Sequence, residues 1–327
     1  EGDGSESAQM MKAMNCPGHA MMFGAQKHSY RDLPWRVADF GRLHRYERAG
    51  VVHGLARVRT FCQDDAHIFC AMEQLQSEIS GFIELLNRVY KTLGFEKYEV
   101  LLSTRPEKRM GADELWDTAE SALEQALKNL KLNYRINAGD GAFYGPKLDV
   151  MVTDAIGRPW QLGTVQVDFN MANNFGLEFT GEDNKPHKPV VLHRAVLGSF
   201  ERFIGVLIEH CEGRFPTWLS PKQVAIINIT TPQEEYAKEL MTTLRKLGIR
   251  AEADIRNEKL GYKIREAQLQ KVPYMLILGD QEMNTKTVSV RTGKGKEIKQ
   301  VSVDDFVKKL TAEIEWRSLT GGFDSIV

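Results

Sequence analysis

Cysteine is scarce in this 327-residue chain: Cys16, Cys62, Cys70 and Cys211 are the only four. They are too few and too scattered for a disulfide framework, so a reducing cytoplasm is the simpler expectation. No apolar run approaches the length of a membrane span and no secretory signal precedes the first structured segment, so no membrane partner is expected. Charge of one sign is missing as well. Lys and Arg number 43 against 44 Asp and Glu, a formal net charge of −1. That argues against a basic DNA-coating protein, although a local basic surface can bind RNA phosphate on a neutral whole. There is no internal repeat and no initiator Met. The opening EGDGSESAQ runs almost at once into motif-like sequence, and the chain is expected to be part of a longer one.

What is present is an ordinary globular mixture, 42% hydrophobic and 27% charged, long enough for two domains. Residues 1–9 read as a polar linker. Residues 10–30 are Met-rich and suit a loop entering a helix, with Pro17 and Gly18 interrupting. From Val37 to Phe69 the pattern is strand-like around a loop at 48–54. Leu75, Ile79, Phe82, Leu86, Val89 and Leu93 recur at helical spacing, which predicts a helix over 72–93 ended by Gly94. A second helix is expected over 113–130, and a hairpin about the turn 154–159. The segment FPTWLSPK, 215–222, holds two prolines in eight residues and marks a break. Beyond it strands and helices alternate, with AIINI and YMLILG as buried strands and IRAEAD as a strand between them. The expected fold is therefore an α+β domain over 1–216, an antiparallel sheet flanked by helices, followed by a three-layer α/β domain over 217–327.

The stretch RVRTFCQDDAHIF carries the most chemistry. Read as one strand, it places Arg57, Arg59, Phe61, Gln63, Asp65 and His67 on one face. The other face carries Val58, Thr60, Cys62, Ala66 and Ile68, with Asp64 as its lone charge. Such a polar row suits the floor of a ligand cavity; a solvated sheet face is the plainer alternative. FGRLHRY brings Arg42 or Arg45 beside it. LGTVQVDF presents Thr164, Gln166 and Asp168 on one face, and a bulge at Gly163 would add Gln161. Ser199 suits the N-cap of a helix whose Arg202 lies near its positive end, where phosphate is favoured. A surface arginine paired with an acid is the bland reading there. Cys16, His67 and His193 are far apart in sequence, and their spacing alone gives no metal signature.

Several segments together resemble the class II aminoacyl-tRNA synthetases, and most closely the bacterial-type threonyl-tRNA synthetase family. They are MNCPGH, YRDLP, FGRLHRYE, HGLARVRTFCQDDAHIF, STRPEK, GAFYGPK, GTVQVDF, HRAVLGSFERF and ADIRNEKLGYKIREAQL, in order over nearly the whole chain. The resemblance implies a threonine–tRNA ligase that makes threonyl-adenylate from threonine and ATP with Mg2+, then passes the acyl group to tRNA(Thr). It implies one zinc ion held by Cys16, His67 and His193. Arg45 is expected on the α-phosphate, and Arg57 and Arg202 on the outer phosphates. Phe61 and the Arg202 guanidinium are expected to sandwich adenine, with Glu47 accepting from its amino group. Gln166 is expected to hold phosphates or magnesium. Lys147 stands with Arg45 and Arg202 as a catalytic residue. Met14, Gln63, Asp65, Tyr144, Gln161, Thr164 and Ser199 are expected to line the substrate site, Asp65 accepting the threonine hydroxyl proton.

In the C-terminal domain the resemblance points to Asn257, Glu282 and Arg291 as anticodon contacts, with VRTGKGKEIK as a basic strand-turn-strand. The same family is homodimeric. Its dimer-forming motif 1 should precede MNCPGH, where only EGDGSESAQ stands, so dimerisation of this chain is open. A prolyl or seryl enzyme of the same class, a non-catalytic tRNA-binding or regulatory module, and a zinc hydrolase are the competing readings. The zinc hydrolase is disfavoured by the lack of an obvious general base near the proposed ligands.

Overall fold

The computed structural model describes residues 10–324; the linker expected over residues 1–9 lies outside them. The chain divides into two compact units, the first ending at Leu207 and the second beginning at Ile208. The proline-bearing break at 215–222 falls just inside the second. No helix among the described residues is long and apolar enough to cross a membrane.

A seven-stranded sheet organises the first unit. Its strands run in the order 35–39, 65–70, 190–195, 159–168, 147–153, 99–103 and 134–137, and every neighbouring pair is antiparallel except the last. Helix Leu75–Leu93 packs on the face that carries Val165 and Val167, so closely that a Cβ on Gly163 would lie 2.6 Å from a Leu86 methyl. Gly94 closes that helix at φ 83°, a backbone region that favours glycine. Helix Asp113–Asn129 lies beside it. The hairpin about Asp154 forms as expected. Its register slips between Val150 and Met151, opposite 161–163, and this bulge turns Gln161 toward the polar face.

Two local expectations are corrected. Pro17 and Gly18 do not interrupt a helix. Helix Cys16–Gly24 starts there, with Pro17 in its first turn, where the missing N–H has no partner to lose. The stretch 57–69 is not one strand but two, Thr60–Cys62 and Asp65–Cys70, in different sheets. The chain leaves the ladder because Gln63 and Asp64 are recruited elsewhere: Gln63 bridges to Ser199, and the Asp64 N–H donates to Gly198 O at 2.9 Å.

The second unit holds a five-stranded sheet in the order 251–254, 224–228, 274–278, 287–292, 297–302. The first three strands are parallel, and 287–302 adds the expected strand-turn-strand as an antiparallel hairpin. Val224, Ile226 and Leu276 face Leu240 and Phe306 on one side, while Ala225, Ile227 and Met275 face Ala267 on the other. Strands buried on both faces read as continuous apolar runs, as AIINI and YMLILG do.

Candidate active site

The polar face of the seven-stranded sheet floors a cavity of about 820 Å3. Sheet register explains how residues far apart in sequence meet. His67 lies directly opposite His193 on the next strand, His193 opposite Gln166, and Gln166 opposite Lys147. Residues opposite one another share a face, so one rung carries all four. Residues two positions away along the strands (Asp65, Thr164 and Asp149) share it too. Cys16 arrives from the first residue of helix 16–24.

The sulfur of Cys16 and the ring nitrogens of His67 and His193 lie within 4.8 Å of one another. His67 Nε2 and His193 Nδ1 are 2.9 Å apart. Each imidazole is held from behind. His193 Nε2 meets Asp168 Oδ2 at 3.1 Å, and His67 Nδ1 meets His19 Nδ1 at 2.7 Å. Burial, then the neighbouring imidazoles of His193 and His19, pushes the His67 pKa down to about 2, so it is neutral as a ligand must be. At His193 burial opposes the charge, but hydrogen bonds to Asp168 and Cys16 outweigh it and raise the pKa to about 9, so a metal bound there would displace a proton. One thiolate and two imidazoles, one of them backed by a carboxylate, are a donor set that suits zinc and leaves coordination positions open.

On the other side of the cavity are the arginines. Arg45 lies with its guanidinium carbon 5.1 Å from the Phe61 ring centre. Arg57 donates to Glu47 Oε2 at 3.1 Å. Arg202 donates from Nε to Ala56 O at 2.9 Å and from Nη1 to Gln161 O at 3.1 Å, and it lies over Trp160 at 5.8 Å. Burial, then the nearby Arg57 charge, lowers its pKa. Ser199 caps the helix as expected, accepting from Arg202 N at 3.2 Å. The ring that Arg202 covers is therefore Trp160, while Phe61 is covered by Arg45. Tyr144 hydrogen-bonds Gln166 Oε1, and burial raises its hydroxyl pKa well above the usual phenol value. Gly145 allows this position, because a Cβ there would lie 1.6 Å from Val167 O.

The cavity brings together nearly all the residues expected from the sequence: Met14, Cys16, Arg45, Glu47, Arg57, Phe61, Gln63, Asp65, Tyr144, Gln161, Thr164, Gln166, His193, Ser199 and Arg202 line it. His67 is fully buried just behind this lining, and Lys147 does not reach it. Its ammonium sits 2.7 Å from Asp149 Oδ2 and 3.5 Å from Asp140. Buried Asp149 gathers that charge together with Ser103 Oγ at 3.0 Å, Gln161 Nε2 at 2.5 Å and Thr164 Oγ1 at 3.3 Å, which makes it a support of the cavity wall. Sequence reasoning missed Asn15, His19, Asp149 and Trp160. The spacing of Cys16 and His19, three apart on one helix, was a usable signal for His19. Nothing in the sequence pointed to Trp160.

In the second unit Asn257 is exposed. Both oxygens of Glu282 are engaged internally, with Gly279 N at 3.0 Å and Ser289 Oγ at 2.7 Å. Arg291 pairs with Glu297, its register partner across the hairpin.

Residues 2–211 match the family model described as tRNA synthetase class II core domain (G, H, P, S and T), and residues 223–313 match an anticodon binding domain. The chain belongs to the class II aminoacyl-tRNA synthetase family. Within that class it is similar to proteins named threonine–tRNA ligase. It is 59% identical to a threonine–tRNA ligase of Bdellovibrio bacteriovorus over 94% of this chain and 47% of the relative. It is 53% identical to one of Clostridium novyi, over 96% and 49%. The chain thus spans about half the length of the curated relatives it matches. A crystal structure titled as the RNA binding domain of threonyl-tRNA synthetase from Cryptosporidium parvum superposes with a TM-score of 0.88 at 42% identity, over 92% of this chain and 76% of that one.

Proposed function

We propose that the chain carries the threonine-activating centre and anticodon-reading domain of a threonine–tRNA ligase. The observation that supports this most is that the Cys16, His67 and His193 cluster opens, through Cys16 and His193, onto the cavity that Arg45 and Arg202 line. In the proposed reaction the threonine carboxylate attacks the α-phosphorus of ATP and pyrophosphate leaves. The 3′-terminal hydroxyl of tRNA(Thr) then takes the threonyl group and AMP leaves. Negative charge shifts among phosphate oxygens throughout, so the protein's task is positioning and electrostatic stabilisation. Arg45 faces the α-phosphate, and Arg57 and Arg202 the outer phosphates together with Mg2+. Phe61 bears on the adenine and Glu47 accepts from its amino group after releasing Arg57. Gln166 and Tyr144, hydrogen-bonded to each other, form the wall between this region and the cluster.

Zinc on Cys16, His67 and His193 would offer open positions to the amine and hydroxyl of threonine. Asp65 accepts the hydroxyl proton. Valine is nearly isosteric but offers no hydroxyl, and a site built to bind one rejects such an analogue by about 10^4–10^5. Serine lacks only a methyl, a difference of about 10–200-fold. The second unit would read exposed base edges of the anticodon through Asn257 and Arg291, the latter after leaving Glu297. Glu282 could join only by giving up its helix-capping bond. A homodimer in the cytoplasm is the setting this reading implies.

Amino-acid-dependent ATP–pyrophosphate exchange by the purified chain tests the reading, with threonine, serine, valine and proline, each with and without a zinc chelator. Exchange is expected with threonine, more weakly with serine, not with valine or proline, and it is lost on chelation. Exchange with proline would move the chain to a sister specificity. No exchange from a zinc-loaded chain would mean that catalysis needs parts of the longer relatives outside this chain, or would leave a binding module.

A further inference from the structure

Asn15 has an arrangement that the proposed reaction leaves unused. It is 1% exposed and immediately precedes Cys16, and its side-chain amide nitrogen has two N–H groups, both committed. One points to Asp65 Oδ2 at 3.0 Å, the other to the carbonyl oxygen of Asp39 at 3.2 Å. Asp39 and Asp65 are register partners on neighbouring strands, so the amide spans the end of that strand pair. Asn15 Oδ1 has no hydrogen-bond partner among the described residues. A buried amide oxygen without a partner is unfavourable, and the side chain is held in place by its nitrogen alone.

The consequence falls on Asp65. Its carboxylate torsion is of the broad, sp3–sp2 kind that rotamer preference alone does not fix. Asn15 removes that freedom by holding Oδ2. The other oxygen, Oδ1, lies 4.0 Å from His67 Nδ1, in a residue that lines the cavity beside the Cys16, His67 and His193 cluster. We propose that Asn15 is the positioning residue that sets side-chain selectivity: it pins one oxygen of Asp65 so that the other is presented to the hydroxyl of the amino-acid substrate. This rests on the proposed threonine-activating function. The device acts only on substrates that carry a β-hydroxyl, because a methyl group in its place has no proton to offer Asp65. Loss of Asn15 therefore weakens threonine and serine together and leaves valine where it was.

The test compares the wild-type chain with Asn15→Ser, whose short hydroxyl falls short of Asp65, and Asn15→Asp, which sets an acceptor against an acceptor. Pyrophosphate exchange is measured with threonine, serine and valine, the last at high enzyme concentration, alongside zinc content per chain. With zinc retained, kcat/KM for threonine and for serine is expected to fall about 10- to 100-fold, the range of a lost hydrogen bond to a charged group. Valine should change by less than about threefold, well below that range. The loss should be larger in Asn15→Asp. An unchanged threonine-to-valine ratio with zinc in place overturns the proposal. So does loss of zinc from both variants, which would make Asn15 a support of Cys16 alone. Absence of threonine-dependent exchange in the wild type itself would instead remove the function on which the proposal stands. If Asn15→Asp fails to fold, the ratio in Asn15→Ser decides.

Discussion

Replacing Asp64 probes how the fold holds the arginine side of the cavity. Its carboxylate is buried, and Oδ2 accepts two backbone N–H bonds, from Val196 at 2.7 Å and Leu197 at 2.9 Å. Arg194 lies 3.8 Å from Oδ1. The turn leading to Ser199 and Arg202 therefore closes on this one side chain. Asp64→Ala strands both donors, at about 1–3 kcal/mol for each buried group left unpaired. Val196 is buried and Leu197 only partly so, which puts the sum at about 3–5 kcal/mol rather than twice the upper limit. That is a large share of the ~5–15 kcal/mol that holds a domain folded. Asp64→Asn keeps an oxygen where Oδ2 stands and should cost less than about 1 kcal/mol.

The two variants also separate the shape of the group from its charge. Burial raises the Asp64 pKa above the usual carboxylate range, outweighing the two backbone hydrogen bonds. With the folded value above the unfolded one, the stabilising contribution is full below the unfolded pKa and is lost as pH rises through the folded value. Wild type should therefore gain stability relative to Asp64→Asn as pH falls through that window. Urea unfolding of the three proteins at neutral and mildly acid pH, with threonine-dependent exchange on each, reads both effects. An Asn variant as unstable as the Ala variant, or a wild type that loses ground to Asn on acidification, would refute the reasoning.

Other outcomes follow from single contacts. Gly145→Ala places a Cβ 1.6 Å from Val167 O, so the turn must move and Tyr144 with it; exchange should fall at least tenfold, about the effect of a small misplacement in a catalytic site, while circular dichroism keeps the native signature. His19→Phe keeps the ring that meets His67 edge-on but removes the nitrogen behind it, and zinc affinity measured by chelator competition should drop about 10- to 100-fold. Burial, and then the nearby Glu78, pushes the Cys70 thiol up to about 12, so iodoacetamide followed by peptide mass mapping should label Cys70 only in urea. Labelling of native Cys70 at the rate of half-buried Cys62 would contradict this.

What the sequence made legible was periodicity. The helix over 75–93, the hairpin about Asp154 with its bulge opposite Gly163, and the alternation of the second unit follow from spacing that local sterics impose. The same period of two placed Thr164, Gln166 and Asp168 on the cavity side. It failed at Gln63 and Asp64, where tertiary hydrogen bonds to Ser199, Val196, Leu197 and Gly198 took the chain out of the ladder. Those partners lie more than 130 positions away, and no local window contains them. Lys147 shows the limit from the other direction. Lys147, expected at the site from the resemblance, stands opposite Gln166, yet its charge is taken by Asp149 before it reaches the cavity. Alternation fixes the direction in which a side chain leaves the sheet, but not the partner that meets it. In this cavity the buried supports Asn15, Asp64 and Asp149 decide which of the outward-pointing groups are free to meet a substrate.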